Sequence, residues 1–318
     1  RTPHMYLYHI NVGHPLLDAG SLYLAPRRHT IWAAHADRLR AQNVGYRVQA
    51  APQANGDFTL VHFEDEVAFP GMTKGLDAKK AENALLFFKQ RVTAPARLAG
   101  NVLLVHDSLD QIAEPRMAWL YNAGQRRVRR APQVAYDGPG TAADGLRTSD
   151  NLDMYNGAPD RYEWKLNGKK EIYIPYNTYK LDSPDLKYAD VIKAGHINQD
   201  LTRYELRRVW HVVATLKEGQ RHIYAKRDFY IDEDSWQAAV VDQYDGRGEL
   251  WRVSIAYLKN YYDLPTTWSA LDEFHDLQAR RYHVQNLDSE ESGTIDFSQP
   301  LPDDGYFKPA ALRRRGTR

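Results

Sequence analysis

The 318-residue sequence contains no cysteine, almost no net charge and no long apolar run. The absence of cysteine excludes disulfides, thiolate nucleophiles and cysteine-bound metals, and leaves the cellular compartment open. With 42 Lys and Arg against 41 Asp and Glu, the net charge of +1 gives the molecule no overall attraction to nucleic acid. No apolar run approaches the ~18 residues of a membrane helix, so we expect a soluble chain, and Arg1 begins no recognisable signal peptide.

Catalytic signature motifs are also missing. The sequence contains no GxSxG, GxGxxG, P-loop or HExxH pattern, so we predict no catalytic residue, no cofactor and no enzymatic activity. Twelve histidines suggest a metal site, but the predicted strand register separates His211 from His222 by roughly 13 Å. A shared ion needs ligand bonds near ~2.1 Å, so we predict no metal site.

Aromatic residues are abundant, with 21 Tyr, 7 Trp and 9 Phe, and they suit pleated sheets and pocket walls. Residues 202–216 and 221–231 are two β-rich runs joined by a Glu-Gly turn, which predicts a long antiparallel hairpin with Leu206 opposite Ile231. One face of this hairpin is largely apolar. A slip by one residue would exchange the faces, so the pattern specifies which side chains face the core.

Further turn signals predict more hairpins. Asn167-Gly168 is a strong tight-turn pair and predicts a hairpin in which Tyr162 lies opposite Tyr173. The other predicted elements are strands at Phe58–Glu66, Ala84–Val92, Ala99–His106 and Asp276–Leu287, a hairpin of Met117–Tyr121 with Arg126–Arg130, and a ribbon that turns at Asp245–Gly248.

The first 56 residues differ from the rest of the chain. They predict an atypical N-terminal segment with one helix over Thr30–Gln42 and a short strand over Val44–Ala50. Residues 57–318 then form an antiparallel β half-barrel domain. Successive hairpins predict a mainly β (α+β) fold, in which a curled antiparallel sheet forms a partial barrel with a few helices packed on one face.

The segment between Ala131 and Pro159 is rich in Gly, Pro, Asp and Asn, which predicts a long loop. Loops of this length are uncommon unless they are functional, so Ala135–Pro159 is a candidate lid. Asp150 and Asp153 could cap a short helix or form an acid–base pair, and both alternatives stay open. The candidate lid residues are Asp144, Arg147, Asp150 and Asp153.

A curled sheet that does not fill its concave side leaves an apolar cavity. Aromatic residues on its strands are then either core residues or the wall of a ligand site, and both interpretations hold for different members. The candidate ligand-binding residues are Trp119, Trp164, Trp210, Phe229, Trp236 and Tyr257.

Four segments carry a family resemblance: KQRVTAPARLAGNVLLVHDSL (Lys89–Leu109), GQRRVRRAP (Gly124–Pro132), AYDGPGTAADGLRTSDNLDMYNGAPDRYEWKLNGKKEIYIPYNTYKL (Ala135–Leu181) and YIDEDSWQAAVVDQYDGRGELWR (Tyr230–Arg252). From about Asp57 onward the chain resembles the uncharacterised bacterial family catalogued as domain of unknown function 1329. That family is similar to the periplasmic lipoprotein-sorting superfamily (LolA/LppX-like), whose members curl an antiparallel sheet around a cavity that takes acyl chains.

The resemblance implies a periplasmic or outer-membrane-associated protein, often encoded beside lipid exporters of the resistance-nodulation-division class. It assigns no catalytic residues. Residues 1–53 instead resemble a fragment of an aldose-epimerase-related protein, through HINVGHPLLDAGSLYLAP (His9–Pro26) and TIWAAHADRLRAQNVGYRVQAAPQ (Thr30–Gln53).

We therefore predict a non-enzymatic periplasmic carrier or chaperone that binds a lipid or another hydrophobic molecule in the concavity of the sheet. One alternative is a structural partner of an inner-membrane exporter or an outer-membrane porin, with Arg126–Arg130 and the long loop as contacts. A second alternative, based on the N-terminal resemblance and the aromatic content, is a carbohydrate-active or sugar-binding protein.

Overall fold

The computed structural model describes residues 42–68, 83–108, 110–131, 134, 136–262, 266–293, 296–299, 302 and 305–315. Two compact units divide the chain. Among the described residues, unit 1 comprises 49–59 and 136–290, and unit 2 comprises 42–48, 60–134 and 291–315. The predicted helix over residues 30–42 lies outside the described residues except for Gln42, with which the first strand begins, and the predicted domain boundary at residue 57 stays a prediction.

Strands dominate the part of the chain that the structure describes. The strands are β1 Gln42–Ala50, β2 Leu60–Ala68, β3 Ala84–Ala94, β4 Val102–Ser108, β5 Met117–Asn122, β6 Arg127–Ala131, β7 Tyr162–Pro175, β8 Tyr204–Leu216, β9 Lys226–Asp232, β10 Ala238–Tyr244, β11 Leu250–Tyr261, β12 Thr266–Asp276, β13 Arg281–Leu287 and β14 Asp296–Gln299. The helices are short: α1 Tyr188–Val191, α2 Leu312–Arg315 and the 3₁₀ turns Ser149–Asn151, Pro159–Arg161, Gln199–Leu201 and Pro309–Ala311.

Neighbouring strands in the sequence are also neighbours in the sheet. In unit 1 the order is β13-β12-β11-β10-β9-β8-β7, and in unit 2 it is β6-β5-β4-β3-β2-β1, with β14 paired to β1. The pairs whose register is assigned are antiparallel. The predicted fold class, a mainly β antiparallel sheet of successive hairpins with few helices, is confirmed.

The hairpin of β8 and β9 has the predicted faces but not the predicted register. Trp210, rather than Leu206, lies opposite Ile231. The shift of four residues is even, so the same side chains still share a face. The error arises because residues 217–225 form a longer connection than the Glu-Gly turn suggested, and the second arm starts only at Lys226. His222 therefore lies in this connection, and not on a strand beside His211.

The predicted hairpin at Asn167-Gly168 is wrong. β7 runs through this pair as one 14-residue strand, and it pairs with β8 on both sides of an irregularity there. Gly168 has a φ of 92°, which glycine adopts without a Cβ clash, as in a β-bulge. The local turn signal is overridden because β8, at 13 residues, offers hydrogen-bonding partners along nearly all of β7.

Two other hairpins agree with the predictions, and two strands, β12 and β14, were missed. β5 and β6 form the predicted hairpin, with Tyr121 opposite Val128, and β10 and β11 form the ribbon predicted around residues 245–248. The single strand predicted over Asp276–Leu287 is instead the end of β12, a turn and β13. The turn forms where the Asp276 carboxylate accepts a hydrogen bond of 2.8 Å from the backbone N–H of Ala279.

The core of unit 2 is closed by the C-terminal segment around α2. Phe307 and Leu312 pack on the buried side chain of Leu104. Beside them, the buried ammonium of Lys89 lies 2.8 Å from the carboxylate of Glu66, so its charge is compensated within the unit. Breaking such a buried pair from one side costs more than a surface pair, because one charge remains without a partner.

Asp65, buried in β2, predicts an unusual pH dependence of stability. Burial raises the pKa of its carboxyl from 3.8 to about 6. Because the folded protein then holds this proton more tightly than the unfolded chain, the free energy of unfolding falls as pH rises from about 4 to about 6. We expect Asp65→Asn to remove this fall and to increase the free energy of unfolding at neutral pH by about 1–3 kcal/mol.

Denaturant titrations of the wild type, Asp65→Asn and the exposed Asp185→Asn across this pH range measure the effect. Asp185→Asn should follow the wild type. If the curve of Asp65→Asn has the same slope as the other two, the carboxyl of Asp65 does not titrate in this range.

Candidate functional site

One face of the unit 1 sheet carries an apolar stripe that crosses neighbouring strands. Val212 of β8 pairs with Phe229 of β9, which pairs with Val241 of β10. Alternate residues of a strand share a face, so Trp164 on β7 and Phe274 on β12 extend the same stripe. All five side chains belong to or pack against one buried hydrophobic cluster. We call this surface the covered face.

The cover is the loop of residues 136–160, which packs its apolar side chains onto the stripe. Met154 and Tyr155 are buried in the same cluster. The ring of Tyr155 lies 5.5 Å from the ring of Trp164 and 5.5 Å from that of Phe229, centroid to centroid, in edge-to-face contacts. This geometry is favourable for aromatic pairs. The loop predicted as a candidate lid therefore covers this face, and its action as a lid stays a prediction.

The buried part of this loop has a strained backbone. Asp153 and Met154 have φ values of 54° and 67°, in the left-handed region. This conformation costs an L-residue about 1–2 kcal/mol, because Cβ approaches the carbonyl oxygen. The packing of Met154 and Tyr155 on the covered face must therefore offset this strain.

A buried ion pair fixes the loop to the covered face. The carboxylate of Asp150 lies 2.6 Å from the guanidinium of Arg227, and both side chains are almost fully buried. Burial alone would raise the pKa of Asp150, but Arg227 together with the hydrogen bonds from His222 and Thr148 outweighs it and holds the pKa of that carboxyl well below its usual range. The Thr148 hydroxyl donates a further hydrogen bond of 2.6 Å to Asp150. The carboxylate is therefore ionised and fully engaged.

His222 completes this buried centre as a neutral imidazole. Burial, together with the positive charge of Arg227, lowers the pKa of His222 below its usual value, although Asp150 opposes the shift. The Tyr224 backbone N–H donates to Nδ1 of His222 at 3.0 Å, so Nε2 carries the proton and donates to Asp150 at 3.0 Å. His222 lies in the connection between β8 and β9, and from there its imidazole orients the carboxylate of Asp150.

A second set of contacts anchors the loop before Asp150. The guanidinium of Arg252 donates to the carbonyl oxygen of Gly145 at 2.9 Å and pairs with Asp276 at 2.9 Å. The guanidinium of Arg281 pairs with Asp144 at 2.7 Å. Both sets of contacts precede the apolar segment Asp153–Tyr155. After this segment, the indole N–H of Trp164 donates to the carbonyl oxygen of Pro159 at 2.9 Å, so the loop is attached to the sheet on both sides of it.

The structure separates the predicted ligand-binding residues. Trp164 and Phe229 lie together beneath Tyr155, as described above. Tyr257 lies on the opposite face of the sheet, because it is one residue out of phase with Ala256 in the hydrophobic cluster. Its hydroxyl donates to Glu273 at 2.9 Å and is buried. Tyr257 is thus a core residue of the other face.

Trp210 and Trp236 remain half-exposed beside the covered face. Their rings stack with centroids 6.3 Å apart. The ammonium of Lys169 lies 4.5 Å above the ring of Trp210 and forms an ion pair of 2.5 Å with Glu233. Trp236 lies in the turn before β10, with a φ of 61°, and not on a strand as predicted.

Trp119 belongs to unit 2. There it makes an edge contact with His106 at 4.8 Å between ring centroids and packs against the core around Phe307. Of the predicted lid residues, Arg147 and Asp150 are buried, Asp153 is half-buried and Asp144 is exposed.

Sequence reasoning missed Arg227, His222 and Arg252, which hold the loop. The available signal was Arg227, because it alternates with Phe229 and Ile231 on the apolar side of its strand and therefore needs a buried partner. Within the described residues, no group of three or more His, Asp or Glu side chains is placed to hold a metal ion. No helix in that part of the chain is long and apolar enough to cross a membrane.

A relative and a family model match nearly the whole chain. The model of the family described as "Protein of unknown function (DUF1329)" matches residues 28–313, so it starts earlier than predicted and includes much of the epimerase-like segment. Uncharacterized protein PA3922 of Pseudomonas aeruginosa is 63% identical over 289 residues, which are 91% of this chain. The chain spans only 63% of the length of this curated relative.

Two crystal structures share the fold. A domain from Vibrio parahaemolyticus, described as an outer membrane lipoprotein-sorting protein, aligns with 89% of this chain and 97% of its own at 12% identity, with a TM-score of 0.59. A DUF1329 family protein from Desulfovibrio piger aligns with 89% of this chain and 96% of its own at 13% identity, also with a TM-score of 0.59. The predicted lipoprotein-sorting type of fold is confirmed, and the chain belongs to the DUF1329 family.

Proposed function

We propose that this protein is a non-enzymatic periplasmic carrier or chaperone that binds a lipid or another hydrophobic molecule on the covered face of unit 1. The observation that carries the proposal is the cover itself: the apolar stripe is closed by a strained loop segment, Asp153–Tyr155. A face that is apolar, aromatic and closed by a strained segment suits a hydrophobic guest. The lipoprotein-sorting type of fold supports the same role.

An exchange of the loop segment for a guest is energetically reasonable. Each buried CH₂ group of an acyl chain contributes about 0.8 kcal/mol, so a chain of moderate length replaces the burial lost when Met154 and Tyr155 leave. Their departure also relieves the left-handed conformations at Asp153 and Met154, which cost about 1–2 kcal/mol each. No catalytic group is needed for this exchange.

Trp210 and Trp236 are the proposed entry to the covered face. Trp210 precedes Val212 by two residues on β8, so both side chains lie on the same side of the strand. Unlike Phe229, the two tryptophans are half-exposed, so a guest can contact them before the loop moves. Lys169, which pairs with Glu233, also lies beside Trp210 at this entry.

The sugar-processing alternative requires a carboxyl that can exchange protons. Asp150 is held ionised by Arg227 and hydrogen-bonded by His222, so it does not serve as a proton donor at neutral pH. Asp150 therefore does not supply the acid of the acid–base pair that this alternative needs. The exporter or porin partner stays a prediction.

Native mass spectrometry of the gently purified protein, before and after incubation with mixed lipids, tests the carrier function. We expect a bound apolar adduct in the wild type and at least a tenfold loss of retention in Trp210→Glu, because an apolar guest would desolvate the carboxylate at this position. Tyr262→Glu changes an exposed aromatic residue of the same unit and should retain the adduct.

Circular dichroism must show that Trp210→Glu is folded. A folded Trp210→Glu variant with unchanged retention would contradict the proposed entry. A wild-type protein that stays bare after incubation with lipids would contradict the carrier function itself.

A further inference from the structure

Arg147 is a buried cation that its surroundings leave without an ionic partner. Its side chain is only 4% exposed. Within the described residues, no carboxylate oxygen comes within 4.0 Å of its guanidinium, unlike those of Arg227 and Arg252. One long hydrogen bond of 3.4 Å reaches the carbonyl oxygen of Thr148, and the Nε–H is buried without an acceptor. Most of the five N–H donors of the guanidinium are therefore available.

Asp272 is the acidic residue that affects the pKa of Arg147 most, but it forms no ion pair with it. Burial lowers the pKa of Arg147 to about 10 and Asp272 opposes the shift, so the side chain is still a cation at neutral pH. The Asp272 carboxylate, however, accepts hydrogen bonds from the side-chain amides of Gln285 and Asn286 at 2.9 and 3.0 Å. An unpaired buried charge costs several kcal/mol, so it is a feature that needs an explanation.

The surroundings of the Arg147 guanidinium combine the apolar ring of Phe274 with the neutral imidazole of His283. The Phe274 ring of the covered face lies 5.7 Å from Cζ of Arg147, and the His283 ring lies 5.8 Å from that of Phe274. Burial and the positive charge of Arg147 lower the pKa of His283 to about 3, so its imidazole is neutral and adds no second positive charge beside Arg147. A Cβ at position 140 would lie only 2.8 Å from Cζ of Arg147, so the absence of a side chain at Gly140 leaves room for the guanidinium.

We propose that Arg147 binds the anionic headgroup, a carboxylate or a phosphate, of an amphiphilic guest. The inference rests on the proposed carrier function and specifies the class of its ligand. A planar guanidinium binds both oxygens of a carboxylate or phosphate in a bidentate manner, which would use the free donors. The apolar body of the guest would then extend from Phe274 along the covered face. The loop would therefore provide the headgroup site as well as the cover.

The test compares three probes with the same 12-carbon chain: dodecanoate, dodecyl phosphate and dodecan-1-ol. Their affinities for the full chain are measured at neutral pH by isothermal titration calorimetry. We expect at least one anionic probe to bind the wild type about tenfold or more tightly than the alcohol, because charge-assisted bidentate bonds exceed neutral ones. The stronger of the two anions identifies carboxylate or phosphate as the natural headgroup chemistry.

Variants assign this preference to Arg147. Arg147→Gln should bring the anionic probes to within about twofold of the alcohol, and Arg147→Lys should leave an intermediate preference, because it keeps the charge but loses the fork. Arg280→Gln, at an exposed position of the same unit, should behave as the wild type. If Arg147→Gln does not fold, the affinities of the three probes for the wild type and for Arg147→Lys still test the headgroup site.

Each outcome separates the two proposals. Equal binding of all three probes to the wild type, or an anion preference unchanged in both Arg147 variants, overturns the headgroup site and leaves the carrier function standing. Binding of none of the probes, up to their solubility limits, overturns the carrier function for single-chain amphiphiles and the headgroup site with it.

Discussion

Asp150→Ala is expected to lower the free energy of unfolding by about 3–5 kcal/mol, because it leaves the guanidinium of Arg227 buried without its carboxylate. The ion pair of 2.6 Å lies at the base of the loop and is almost fully buried, so water cannot replace the lost partner. His222 also loses the acceptor of its Nε2 proton. Equilibrium unfolding in urea, followed by tryptophan fluorescence, measures the change.

A double-variant comparison isolates the unpaired charge from the loss of contacts. Asp150→Asn alone should be strongly destabilising, while Asp150→Asn combined with Arg227→Gln should recover part of the loss, because both charges are then absent. Asp185→Ala, at an exposed site in unit 1, should change the free energy of unfolding by no more than about 0.5 kcal/mol. A loss below about 1 kcal/mol in Asp150→Ala would show that the pair is hydrated in solution.

Phe229→Ala is expected to lower the free energy of unfolding by about 3–5 kcal/mol, because it leaves a cavity in the core. Phe229 is fully buried and makes ring contacts with Tyr155 and, at 5.6 Å between centroids, with Trp164. The loop and the sheet both lose packing when this ring is removed. Thermal and urea unfolding of the purified variant measure the loss.

Trp210→Ala provides the matched control for Phe229→Ala. Trp210 is an aromatic residue on the same side of the sheet, but it is half-exposed, so its truncation should cost about 1 kcal/mol or less. The comparison of the two variants distinguishes an aromatic side chain that is open to solvent, Trp210, from one that the loop covers, Phe229. Equal losses in both would mean that Phe229 is already accessible in the free protein.

Local sequence signals predicted most of the strands, and they failed where pairing with a strand distant in the sequence determined the structure. The β5–β6 hairpin follows from its turn residues, since both arms are short and adjacent. The Asn167-Gly168 signal is equally strong, yet β7 continues because β8 supplies a long partner strand. Two-residue turn chemistry is worth less than a ladder of backbone hydrogen bonds along 13 residues.

The candidate site was predictable only in part, because its centre joins residues that lie far apart in the sequence. The composition of residues 131–159 indicated a functional loop, and Arg147 and Asp150 were among its candidate residues. Nothing in the local pattern indicated that Asp150 reaches Arg227, 77 residues away, or that the aromatic stripe is already covered by Tyr155. Apolar periodicity identifies a buried face but not the segment that buries it.

The polar anchors at both ends of the loop have a consequence for association kinetics. Because the Asp150–Arg227 pair holds the loop before Asp153–Tyr155 and the hydrogen bond from Trp164 to Pro159 holds it after, we expect the covered face to open only when this apolar segment detaches between the two fixed points. A guest of the proposed carrier would wait for that opening, so we expect its observed on-rate to level off at high concentration at the opening rate. The apparent affinity is lower than the intrinsic one by the fraction of molecules that are open.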